Sequence, residues 1–65
     1  MFNMSVKRRE LIQYLEKNGF HLLREGANHS IYANGANVIP VKRHNPFDRI
    51  PANEICKQAG VKPKY

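Results

Sequence analysis

The residues best suited to chemistry sit in one stretch, "REGANHSIYANGANVIPV", Arg24 to Val41. His29 stands in it where a glycine-bearing turn feeds a strand pattern. Histidine is the side chain whose ordinary pKa lies closest to neutral pH, so it can take or give a proton in catalysis. Two further histidines, His21 and His44, and one cysteine, Cys56, complete the reactive set. One cysteine and three scattered histidines make no zinc motif. Glu10, Glu16, Glu25, Asp48 and Glu54 are too dispersed along the chain to suggest a metal site.

Charge narrows the class of partner. Eleven Lys and Arg oppose five Asp and Glu, for a net charge of +6 and a pI near 9.9. In 65 residues that is a strong positive field, and it favours a polyanion. Nucleic acid comes first, an acidic protein second and an anionic membrane third; solubility alone is the plain alternative. With a single Cys no internal disulfide forms, which fits a reducing, cytoplasmic setting. No apolar run approaches the roughly 20 residues of a membrane span, and there is no apolar stretch of signal-peptide type. The length predicts one small domain, 1–65.

Five elements must position these residues. "SVKRRELIQYLEKNGF" predicts a helix with Ser5 as N-cap. Its apolar stripe runs Met4, Arg8, Leu11, Ile12 and Leu15, and it ends where Gly19 supplies a left-handed residue and Phe20 folds back. "FHLLRE" is a short strand and "GAN" a turn. "HSIYA" and "ANVIPV" flank Asn34-Gly35, a strong hairpin signal. A two-residue turn there sets Ile31 opposite Val38, Tyr32 opposite Asn37 and His29 opposite Pro40. Ile31 and Val38 read as the buried pair, with His29 on their face at the strand mouth. Pro40 cannot donate to a ladder, so its strand is at an edge or leaving the sheet. "KRHNPFDR" is a basic loop. "IPANEICKQAGV" is a second helix, with Pro51 at its first position and a stop at Gly60 and Val61. The fold class predicted is α+β: helix, three antiparallel strands, helix, with both helices on one face. Double-stranded RNA-binding domains share this α-β-β-β-α layout.

At this point the sequence resembles a family. "RRELIQYLEKNGFHLLREGANHSIY" followed by "IPVKRHNPFDRIPANEICKQAGV" is similar to the HicA-type toxins of bacterial toxin–antitoxin pairs. The ordered features are Gly19-Phe20, Asn28-His29, Pro40, His44, and Ile55 to Gly60. The resemblance implies a small endoribonuclease (an mRNA interferase) that cuts messenger RNA, and a HicB-type antitoxin that covers its site. It implies that His29 is catalytic. Two departures stand out. Asn28 and Ala27 occupy positions that many members fill with Ser and Gly, with Gly26 one residue further back. His44 follows Pro40 by four residues rather than one or two.

RNA cleavage without a metal or other cofactor needs a base for the 2′-hydroxyl and an acid for the leaving oxygen. His29 is the candidate for that work; otherwise it is a strand residue whose ring bonds backbone. His44 reads as a second proton donor or as a plain loop residue. Arg24, Asn28, Lys42, Arg43, Lys7 and Arg8 are candidate RNA contacts. The cations near the start of the first helix stand at its positive end, which concentrates potential but also suits a solvated face. Tyr32 packs or stacks on a base, with packing favoured. His21 is a partly exposed strand residue, and Cys56 belongs to the core. Two other functions remain open beside the nuclease: an RNA-binding module without chemistry, and a protein-interaction module with a basic face.

Overall fold

The structure is a computed structural model and describes residues 5–43 and 47–65. Its elements run β1 (Ser5–Val6), α1 (Arg8–Lys17), β2 (His21–Glu25), β3 (His29–Ala33), β4 (Val38–Lys42), β5 (Phe47–Asp48) and α2 (Arg49–Ala59). The main sheet is antiparallel in the order β2-β3-β4, with β3 in the centre. Leu11 and Leu15 of α1 share one core with Ala52, Ile55, Cys56 and Ala59 of α2 and with Tyr32, Ile39 and Val41 of the sheet. Both helices therefore cover the same face, as expected of the α-β-β-β-α layout.

Both helices stop as the sequence predicts. Gly19 (φ 89°) and Gly60 (φ 74°) are left-handed. The Phe20 and Gly19 amides donate to the carbonyls of Leu15 and Glu16, and the Val61 and Gly60 amides donate to those of Cys56 and Lys57. These are Schellman closures, which satisfy carbonyls that the helix leaves bare.

The helix starts differ from expectation. Ser5 is not the N-cap of α1; it pairs with Asp48, and Val6 pairs with Phe47, in a two-stranded ribbon. Lys7 precedes the helix in an extended conformation, with no side-chain cap. Val6 and Phe47 are buried at 5% and 2% exposure, and that burial outweighs the capping preference of Ser5. The second helix begins at Arg49 behind Asp48, so Pro51 is third rather than first; it is still in the first turn, where its missing N–H costs nothing.

The hairpin register is two residues away from the one predicted. Ile31 faces Pro40, Tyr32 faces Ile39 and His29 faces Lys42. A two-residue type I′ turn needs positive φ at both central residues, and neither Asn34 nor Gly35 has it. Instead the Asn34 side-chain oxygen accepts hydrogen bonds from the amides of Ala36 (2.9 Å) and Asn37 (2.8 Å). The longer loop keeps the alternation but the core lies on the other face. Val38 is 63% exposed, whereas Ser30, Tyr32, Ile39 and Val41 point inward. Tyr32 thus packs, and burial raises its phenol above the ordinary pKa.

Candidate functional site

His29 begins β3 and shares the open face with Ile31, as alternation requires, but that face is not the core. The residue as a whole is half-buried. Its backbone is held from two sides. The Gly26 amide donates to the His29 carbonyl at 2.7 Å, closing the "GAN" turn, and the Arg43 amide donates to the Asn28 carbonyl at 3.2 Å. A Cβ on Gly26 would lie 3.1 Å from that same His29 carbonyl, closer than side chains ordinarily approach. Gly26 therefore permits the tight turn that delivers His29 to the strand mouth.

Three depressions meet at His29. One, of about 300 Å³, is bounded by Ala27, Asn28, Lys42 and Arg43. A second, of about 440 Å³, runs past Arg24, Glu25 and Gly26 to Ile31. The third, of about 410 Å³, lies between β4 and α2 and is walled by Pro40, Lys42, Asp48, Pro51 and Glu54, among others. The structure thus gathers His29, Arg24, Asn28, Lys42 and Arg43. His44 lies outside the described residues.

Lys7 and Arg8 stand elsewhere. Lys7 is exposed ahead of α1 and lines none of these three depressions. Arg8 reaches from α1 to the sheet, where its Nε donates to the Lys42 carbonyl at 2.9 Å and its Nη2 to the Ser30 hydroxyl at 2.9 Å. Ser30 donates onward to Glu25 Oε1 at 2.7 Å, and Arg43 Nη2 donates to the same oxygen at 2.6 Å. This chain ties α1, β2, β3 and the end of β4 together directly behind the histidine. The Ser30 hydroxyl, with Arg43 next, holds the Glu25 carboxyl below its usual pKa.

Sequence reasoning missed Ser30 and Glu25. Two signals pointed to them. Arg8 interrupts an otherwise apolar helix stripe, and Ser30 alternates with Tyr32 on what proves to be the inner face. A polar group so placed needs a partner. Asp48 and Glu54, at the third depression, carried no such signal, because only the packing of α2 beside β4 brings them there.

The family model for the HicA toxin of bacterial toxin-antitoxin matches residues 8–61. The chain belongs to the HicA toxin family. Comparisons with curated proteins and with solved structures return no match. As a HicA toxin it is one half of a toxin–antitoxin pair, so an antitoxin partner comes with the family. Among the described residues, no helix is long and apolar enough to cross a membrane. Against the HicA signature, Gly26 makes the close approach at His29, one residue earlier than the position that Ala27 fills.

Proposed function

We propose that this HicA-family chain is an endoribonuclease that cuts messenger RNA through His29, without a metal or other cofactor. His29 takes the proton of a 2′-hydroxyl as that oxygen attacks phosphorus, or returns a proton to the departing 5′-oxygen. Lys42 and Arg43, on the depression beside the ring, offset the charge that builds on the phosphorane. Arg24 and Asn28 extend the RNA-binding surface on the other side. Lys7 adds to the positive field from a distance, and Arg8 acts by holding the sheet mouth to α1. A HicB-type antitoxin would silence the enzyme by covering His29, and the complex would work in the cytoplasm.

The observation that carries this reading is the convergence of three depressions on a half-buried histidine flanked by Lys42 and Arg43. The test compares the parent chain with His29→Ala. The parent should arrest growth and fragment messenger RNA in a chelator-resistant manner, and the variant should do neither. Cleavage retained by His29→Ala would exclude the mechanism. RNA binding by both chains without scission would leave a binding module in place of an enzyme.

A further inference from the structure

We propose that the cleft between β4 and α2 is a nucleobase subsite. It would take the base beside the scissile phosphate, and Asp48 and Glu54 would read that base by accepting hydrogen bonds from its exocyclic amino group. This deepens the ribonuclease reading and rests on it.

The cleft has the size and walls for such an occupant. At about 410 Å³ it falls within the range of small-molecule sites. Pro40, Pro51 and Ile55 line it with aliphatic surface on which a flat ring can lie. His29 and Lys42 form part of its boundary and also of the basic depression beside it. A phosphate held at His29 therefore places an adjoining base at this opening.

Charge separates the two neighbours. Only five acidic residues oppose eleven basic ones in the chain, yet two of the five, Asp48 and Glu54, line this cleft. Carboxylates repel a phosphate and direct it to the side of Lys42 and Arg43. They accept hydrogen bonds from N–H groups, so they suit the neutral, donor-bearing part of a nucleotide. Among the described residues, neither carboxylate is committed to holding the fold. Asp48 precedes α2 without forming a side-chain cap bond. Glu54 meets Lys57 at 3.5 Å in an exposed pair, an interaction that contributes little. Adenine, cytosine and guanine present an exocyclic amine; uracil presents none.

The test uses RNA oligonucleotides with one cleavable linkage, all other sugars being 2′-deoxy, and each of the four bases in turn on either side of it. The full chain is compared with Asp48→Asn/Glu54→Gln. Asn caps a helix as well as Asp does, and both changes preserve size. The parent should cleave amine-bearing bases at one flanking position about tenfold faster than uracil, and the variant should lose that preference. Equal rates for all four bases in the parent, or the same preference in the variant, would overturn the subsite while leaving the ribonuclease intact. If the parent cleaves nothing, the ribonuclease reading falls and affinity decides the subsite. Base-dependent binding that disappears in the double variant supports it, and base-independent binding overturns it.

Discussion

At the scale of single residues, the candidate histidine and its neighbours divide between two faces of the sheet. His29 faces outward, while Ser30, next in sequence, faces inward and joins Arg8 to Glu25. Substituting Arg8→Lys keeps the charge but cannot reproduce the forked contacts to Ser30 and Lys42. It should cost about 1–2 kcal/mol in urea unfolding, and an unchanged midpoint would mean that these contacts do not hold the sheet to the helix. Glu25 gives a pH signature. Its folded pKa is lowered, so its contribution to stability is complete above the ordinary glutamate value of about 4.3 and is lost as pH falls through the lower folded value. Glu25→Gln should flatten the acid limb of a stability–pH profile, and a limb identical to the parent's would show that the network is not coupled to folding.

At the scale of elements, the turns decide what the strands present. The "GAN" turn brings Gly26 against the His29 carbonyl, where a Cβ would sit 3.1 Å away. Gly26→Ala should therefore shift the histidine and lower the cleavage rate more than it lowers the melting temperature. Equal losses would mean that the turn serves only the fold. Gly19 has no such neighbour, but its φ of 89° penalises any Cβ. Gly19→Ala should destabilise by about 1–2 kcal/mol, read from denaturant midpoints, with the specific activity of the folded fraction unchanged. Helix ends and strand positions are legible in the sequence because Gly-apolar stops and alternation are local signals. The hairpin register is not, because Asn34-Gly35 can serve either a two-residue turn or the longer loop built on the Asn34 side chain. Nor are β1 and β5 legible, since two residues show no period.

At the scale of the whole molecule, a small core holds a strongly basic surface together. Leu11 and Leu15 are fully buried, in a 65-residue domain whose total stability is expected to be only about 3–10 kcal/mol. Leu15→Ala should remove about 3 kcal/mol, enough to populate the unfolded chain in a thermal melt. The opposite problem appears at β2, an edge strand, where Leu22 and Leu23 are 44% and 58% exposed. Unpaired edges with apolar side chains favour association. Leu23→Lys should lower self-association in sedimentation and leave RNA cleavage intact, since Leu23 stands apart from the three depressions at His29.

By itself, the sequence determined the helix stops, the order of the two helices and three longer strands, the burial of Cys56 and the positive field, and it singled out His29 as the candidate for moving a proton. Each of these follows from residue type and near-neighbour spacing. Only the tertiary structure decided which face of β3 is covered, because alternation groups His29 with Ile31 but does not say where the helices pack. That same packing turns Arg8 inward to Ser30 and sets Asp48 and Glu54 beside the histidine. The reason is physical: local patterns act over a few residues, whereas these contacts close loops of about twenty to thirty residues and form only when the helices settle on one face of the sheet.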